Sequence, residues 1–205
     1  MGGLFEYEFM VLAFIAVLVI SPLFAMLGTV VVENRLAFFS DALGHSALTG
    51  IALGILFGIE TPILSMCIFA VLFAVMLNKI RHSKVSSGDT VISVFSSTAI
   101  ALGLVLLSML GGFNKYSSYL IGDILTVGKA DIILLAVMLA IVIVFWIFCY
   151  NKILAMTLSE SLARSKGIKT GLIDTVYIIL LALSVTVAIR WIGILLINSL
   201  LVLPA

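Results

Sequence analysis

Charged side chains are scarce in this sequence. Asp, Glu, Lys and Arg together make up 10% of the 205 residues, whereas hydrophobic residues make up 63%. A soluble domain of this length does not need so much apolar surface, but a polytopic membrane protein does. The formal net charge of +1 gives no indication of a nucleic-acid-binding protein. The composition therefore predicts an integral membrane protein that contacts lipid and has no nucleic-acid partner.

Cysteine is nearly absent, and so is a signal for secretion. Cys67 and Cys149 both lie inside apolar runs, where a cysteine behaves as a small hydrophobic residue. We therefore predict neither a disulfide nor a zinc cluster.

No Lys or Arg precedes the first apolar run, so the N-terminus lacks the basic region of a signal peptide.

Motifs typical of enzymes are missing. The sequence contains no H-E-x-x-H, no G-x-S-x-G and no Walker-type G-x-x-x-x-G-K-[ST] pattern. We predict that the chain is not an enzyme. If ATP drives its activity, a separate protein must hydrolyse the ATP.

The apolar runs define the predicted fold class. A span needs about 17–25 helical residues, and six runs have this length: 9–32, 36–59, 61–77, 91–110, 131–150 and 172–189. A seventh run, 192–203, is too short to cross, so it is either a re-entrant half-helix or a span that is cut short. We predict an all-α integral membrane protein, a polytopic helix bundle with six to seven spans in one domain covering 1–205. We also expect it to be truncated at the C-terminus.

Two connecting segments have distinct patterns. The centre of the segment 111–130, at 116–127, predicts a short helix at the membrane interface, with Tyr116 and Tyr119 at headgroup level. The loops after the first, third and fifth spans contain eight Lys and Arg residues, against three on the opposite side. By the positive-inside rule these basic loops are cytoplasmic and the N-terminus is outside.

The second span carries two ionisable residues, Asp41 and His45. Four residues apart on a helix, they project from the same face, and Thr49 continues that line. An ionisable residue at membrane depth costs about 2.5–3.5 kcal/mol unless it faces a polar interior. Carboxylate oxygen and imidazole nitrogen suit zinc or manganese, although two ligands are half a site at best. Alternatively, the two side chains pair with each other or with Arg190, or they relay protons.

A second line on the same helix consists of small residues. It comprises Ala42, Ser46, Gly50, Gly54 and Gly58. Small residues let another membrane helix approach closely. We therefore expect this span to be buried among the others.

The last basic loop predicts a short helix at 158–166. Thr157 and Glu160 have the spacing of a capping box, and Gly167 stands where a C-cap glycine belongs. Arg164 and Lys166 in the final turn complement the helix dipole. Such a helix on the cytoplasmic surface is either a docking site for a soluble partner or a connector.

Three stretches resemble the membrane permease subunits of ATP-binding-cassette transporters for zinc, manganese and related metals. They are FFSDALGHSALTGIALG at 38–54, SYLIGDILTV at 118–127 and LAMTLSESLARSKGI at 154–168. The resemblance implies a permease dimer with two cytoplasmic ATP-binding subunits and an extracytoplasmic metal-binding protein. It also implies further helices after the final LLVLPA, a location in the bacterial cell membrane, and no cofactor other than the transported zinc or manganese ion.

The resemblance also implies roles for particular residues. Asp41 and His45 match the aspartate and histidine on the metal path of such permeases. The helix at 158–166 matches the coupling helix, with Thr157, Glu160, Ala163, Arg164 and Gly167 as the ATPase-coupling residues. The function this predicts is ATP-driven import of zinc or manganese. The alternative is an ion-coupled secondary transporter that uses Asp41 and His45 as a relay.

Overall fold

The computed structural model describes residues 7–34, 36–59, 61–81, 88–116 and 118–202. Within these ranges the chain forms α-helices and one short 3-10 helix at Ile124–Thr126, and it contains no β-strand. The helices are α1 (Glu8–Glu33), α2 (Ala37–Leu56), α3 (Pro62–Arg81), α4 (Gly88–Met109), α5 (Phe113–Tyr116), α6 (Ser118–Ile121), α7 (Lys129–Leu158), α8 (Glu160–Ser165), α9 (Thr170–Ile192) and α10 (Ile194–Val202).

Six of these helices have the length and composition of membrane spans: α1, α2, α3, α4, α7 and α9. The prediction of an all-α, polytopic membrane bundle is confirmed. Large apolar side chains remain exposed along α1, α4 and α7, as expected of surfaces that face lipid.

Two spans extend beyond their apolar runs. The prediction ended the third span at 77 and the fifth at 150, but α3 continues to Arg81 and α7 continues to Leu158. The reason is that polar residues such as Asn151 and Lys152 end the contact with hydrocarbon but are compatible with helical backbone. A helix ends only where the backbone leaves helical geometry, as it does at Ser159 with φ −165°.

The segment between α4 and α7 does not form the single helix predicted at 116–127. It consists of α5, α6 and the 3-10 helix, separated by short breaks. Gly122 has φ +79°, a conformation that L residues rarely adopt, and it ends the helical turn there. Tyr116 and Tyr119 do contact each other, with their ring centroids 6.1 Å apart, inside the range of about 4.5–7 Å that is usual for aromatic pairs.

The last described helix, α10, is separated from α9 by Gly193, which has φ +82°. The backbone of Gly193 lies against Ile121 and Gly122, and neither glycine has room for a Cβ atom. Ile194, Ile197 and Leu201 of α10 are buried in the bundle. Nine residues rise about 13 Å, so α10 by itself does not cross the hydrocarbon core.

The centre of the bundle is formed by α2 and α9. The most apolar windows of these helices are 72% and 67% buried, against 22% for α7. Helix α2 packs against α3, α4, α9 and α10. It is the least apolar of the six spans and also the most buried, which is the arrangement that its polar residues require.

Candidate functional site

Asp41 and His45 lie on the same face of α2 and contact each other. His45 Nε2 is 3.4 Å from Asp41 Oδ1, and the two side chains are 24% and 40% exposed, respectively. The i, i+4 spacing on one helix accounts for the contact. The predicted alternative in which Arg190 joins this pair is wrong, because Arg190 Nη1 lies 3.8 Å from Asp131 Oδ1 instead.

A cavity of about 250 Å³ opens beside the pair, between α2 and α4. Phe38, Asp41 and His45 line it from α2, and Ile92, Ser93, Ser96, Ser97 and Ile100 line it from α4. The wall opposite the carboxylate and the imidazole is therefore rich in hydroxyl groups. Hydroxyl, carboxylate and imidazole groups all present lone pairs that a cation can approach.

The two helices that line this cavity, α2 and α4, pack closely against each other next to it. Thr49 is buried, and its hydroxyl donates a hydrogen bond to the backbone carbonyl of Ala99 in α4. A Cβ atom at Gly103 would lie 2.8 Å from the Thr49 nitrogen, so only glycine allows this approach. Thr49 thus continues the line of Asp41 and His45 along the helix, but its hydroxyl binds a neighbouring helix rather than lining the cavity.

Two of the small residues of α2, Gly50 and Gly54, allow the close approach of another helix that was predicted, and that helix is α3. A Cβ atom at Gly50 would lie 2.9 Å from Met66 Cα, and one at Gly54 would collide with the Ser65 side chain. Gly58 is an exception, because its φ of +70° places it after the helix end with nothing within 4 Å of an added Cβ. Its role is in the turn, where Ile59 N–H donates to Gly54 O.

The described residues do not supply the remaining ligands of a metal site. Within the described ranges no group of three or more His, Cys, Asp or Glu side chains converges. Asp123 and Asp131, for example, serve as local caps: Leu125 N–H donates to Asp123 and Gly128 N–H donates to Asp131. Asp41 and His45 are therefore two donors beside a hydroxyl-lined cavity.

The short helix of the last basic loop is α8, and its N-cap differs from the prediction. Ser159 is the N-cap, and its Oγ accepts a hydrogen bond from Leu162 N–H at 3.3 Å. Thr157 is still inside α7, where its hydroxyl donates to Ile153 O at 2.9 Å. The predicted capping box at Thr157 is wrong because α7 continues just over two turns past its apolar run, to Leu158.

The C-terminal end of α8 matches the prediction. Gly167 has φ +75°, its N–H donates to Arg164 O, and Ile168 N–H donates to Ala163 O. These two bonds are the Schellman pattern that favours glycine. Ala163 is fully buried, and Arg164 Nε donates to Thr170 Oγ1 at 3.2 Å.

The whole described chain matches one family of transport proteins. The sequence model of the ABC 3 transport family matches residues 6–205. The chain belongs to this family.

Relatives in the ABC 3 transport family include proteins named for metal uptake. The high-affinity zinc uptake system membrane protein ZnuB of Haemophilus influenzae is 30% identical over 200 residues, which cover 97% of this chain and 76% of ZnuB. The manganese import system permease protein ScaB of Streptococcus gordonii is 28% identical over 204 residues, covering 99% of this chain and 73% of ScaB. Both names describe membrane components of transport systems.

A solved structure shows the same fold. PsaBC from Streptococcus pneumoniae, in complex with Fab, superposes with a TM-score of 0.82 at 24% sequence identity. The match covers 98% of this chain and 72% of that chain. The match shows the fold, and the six apolar helices together with the family model show a multi-pass membrane protein of the ABC 3 transport family.

One ion pair in this ABC 3 family member was not predicted from the sequence. Arg81 at the end of α3 contacts Asp174 near the start of α9, with Arg81 Nη2 3.2 Å from Asp174 Oδ2. The two residues are 93 positions apart. Only the packing of α3 on α9 brings these two residues together.

Proposed function

We propose that this chain is the permease subunit of an ATP-driven importer of zinc or manganese in the bacterial cell membrane. The observation that carries the proposal is the Asp41–His45 pair, which faces a hydroxyl-lined cavity on the most buried of the six spans. Ionisable residues within membrane spans that face a cavity are characteristic of ion pathways.

The chemistry of the pair supports a divalent transition metal as the cargo. Imidazole nitrogen and carboxylate oxygen bind zinc and manganese well. A transported ion must also leave, so a site with few protein ligands suits passage better than a closed four-ligand site. The printed names of ZnuB and ScaB, a zinc and a manganese system, agree with this class of cargo.

The proposal includes three protein partners. A separate cytoplasmic ATP-binding subunit would dock on α8 and the end of α7, where Leu162 of α8 and Leu158 of α7 are 52% and 78% exposed beside the exposed Arg164. An extracytoplasmic metal-binding protein would deliver the ion at the opposite end. A second copy of the chain would complete a permease dimer.

The test replaces Asp41 by Asn, which keeps the size of the side chain and removes its charge. Loss of groups that merely support a metal ligand costs roughly 10–100-fold in affinity, so we expect zinc or manganese uptake to fall by at least that much. The matched control is Asp123→Asn, since Asp123 is exposed and caps a 3-10 helix. Wild-type uptake by Asp41→Asn at equal membrane levels would contradict the ligand role.

The contact between Asp41 and His45 also favours a second candidate. A carboxylate and an imidazole 3.4 Å apart can pass a proton, as in an ion-coupled secondary transporter. Such a transporter would take up metal without an ATP-binding subunit and would stop when an uncoupler dissipates the proton gradient. Uptake that requires the ATP-binding subunit and survives the uncoupler separates the importer from this candidate.

A further inference from the structure

The ion pair between Arg81 and Asp174 connects two helices near one end of the bundle. Arg81 Nη2 lies 3.3 Å from Asp174 Oδ1 and 3.2 Å from Oδ2, and it also donates to Asn78 Oδ1 at 3.2 Å. Each side chain of the pair is 17% exposed. Arg81 is the last residue of α3, and Asp174 lies just over one turn from the start of α9.

Burial makes this pair a stiffer connection than a surface ion pair. Exposed ion pairs contribute little because water and salt screen them. A largely buried pair, in contrast, cannot be opened without leaving a desolvated charge behind. The ends of α3 and α9 are therefore held together as one unit.

The short helix α8 is tied to the same region of α9. Arg164 Nε donates to the hydroxyl of Thr170, the first residue of α9, and Thr170 is buried. Thr170 and Asp174 are four residues apart, so they lie on the same face of the helix. A cavity of about 460 Å³ is lined by residues of both contacts, including Arg81, Arg164, Thr170 and Asp174.

Helix α3 in turn touches the helix that carries the candidate ion site. Its residues Ser65 and Met66 lie directly against Gly54 and Gly50 of α2, with no space for a side chain between the backbones. Interfaces packed this tightly transmit displacements instead of absorbing them. A displacement of α8 therefore has a continuous route through α9 and α3 to α2, the helix of Asp41 and His45.

We propose that Arg81 and Asp174 form a coupling joint, which transmits movement of the ATPase-docking helix α8 to the ion-contacting helix α2. The pair is a positioning element that touches neither ATP nor the metal ion. This inference rests on the proposed importer function. It adds the specific contact through which ATP hydrolysis and ion passage are linked.

The experiment measures metal ions transported per ATP hydrolysed, using the complete complex with its ATP-binding subunit and binding protein in liposomes, with zinc and manganese as the probes. Asp174→Asn and Arg81→Gln remove one charge each, and the double variant removes both charges and leaves none unpaired. We expect all three to lower the ratio by roughly fivefold or more, within the range seen for mutations along coupling networks. ATPase activity and complex assembly should remain.

Two further variants separate coupling from simple stability. A variant that exchanges the two charges, with Arg81→Asp and Asp174→Arg made together, should restore part of the ratio of metal ions transported to ATP hydrolysed. Arg81→Lys keeps the charge but lacks the planar donor group, so its ratio should fall between the wild type and Asp174→Asn. If single variants fail to accumulate, the charge-neutral double variant and Arg81→Lys still give the answer.

The matched control is the ion pair Lys129–Glu8, which has a 2.8 Å contact and is 77% and 71% exposed. Glu8→Gln should leave the ratio unchanged. A wild-type ratio in the double variant and in Arg81→Lys overturns the coupling joint, as does a fall in uptake that matches the fall in ATPase activity. If wild-type liposomes show no ATP-dependent uptake, the importer function itself fails, a result distinguishable because it precedes any substitution.

Discussion

At the scale of single residues, glycine on α2 decides how closely the helices pack. Gly50 and Gly54 meet the backbone and first side-chain atoms of α3, while Gly103 of α4 meets Thr49. In a membrane, helices associate through such close contacts and interhelical hydrogen bonds because the lipid offers no hydrophobic driving force between them. The position of Asp41 and His45 thus depends on glycines one to three turns away.

Replacing Gly50 by Ala should destabilise the bundle. The added Cβ would lie 2.9 Å from Met66 Cα, a backbone atom that cannot move alone, and overpacking of this kind costs about 1–3 kcal/mol. We expect a lower unfolding temperature for the purified protein in detergent. The control is Gly171→Ala in α9, where an added Cβ meets nothing within 4 Å and where we expect unchanged or slightly higher stability. Equal unfolding temperatures for the two variants would contradict the close approach of α2 and α3.

At the scale of helices, the ends of α8 determine which surface it presents. Ser159 fixes the start by accepting from Leu162 N–H, and Gly167 fixes the end with its left-handed backbone. Between them, Ala163 is buried and Leu162 is 52% exposed, while Arg164 Nε donates to Thr170 Oγ1. The proposed docking surface therefore depends on the caps as well as on the residues that would touch a partner.

Replacing Ser159 by Ala should weaken docking of the ATP-binding subunit. Loss of an N-cap side chain costs about 0.5–2 kcal/mol, which is large for the six residues of α8. We expect less ATP-binding subunit to be recovered with the permease on affinity purification. Thr175→Ala is the control, because the Thr175 hydroxyl donates within α9 to Gly171 O and Thr175 is not among the proposed coupling residues. The role of the Ser159 cap in docking fails if Thr175→Ala weakens docking as much.

At the scale of the whole molecule, the loops that follow the first, third and fifth spans meet at one end of the bundle. The end of α1, the end of α3, α8 and the start of α9 all contribute residues to one cavity, among them Asn34, Arg81, Arg164 and Thr170. This is the arrangement expected when the chain crosses the membrane twice between one basic loop and the next. The positive-inside rule predicts that this end is cytoplasmic.

Cysteine labelling of intact cells tests that orientation. After Cys67 and Cys149 are replaced by Ala, single cysteines are introduced at Lys166 and Leu125, two exposed positions. A membrane-impermeant thiol reagent should label Leu125→Cys in intact cells and Lys166→Cys only after the membrane is opened. The reverse pattern would invert the proposed direction of transport and place α8 outside, where no ATP-binding subunit could dock.

The predictions from sequence succeeded where one physical property dominates and failed where two compete. Hydrophobicity located all six spans because burying apolar residues in lipid needs no partner. It misplaced the ends of α3 and α7, since helices continue past the hydrocarbon until a cap stops them. The cap itself was assigned to Thr157 instead of Ser159 for the same reason. In the segment 111–130, Gly122 overrode the helical pattern because it must pack against Gly193.

The sequence by itself determined that this chain is a bundle of membrane helices with Asp41 and His45 on one helical face. Span length, helical period and the cost of charge in lipid are local properties, so they can be evaluated from consecutive residues. Only the tertiary structure decided that serines of α4 face this pair, that Thr49 binds α4, and that Arg81 meets Asp174 across 93 positions. Contacts between distant residues follow from how whole helices pack, and packing depends on the shapes of many side chains at once.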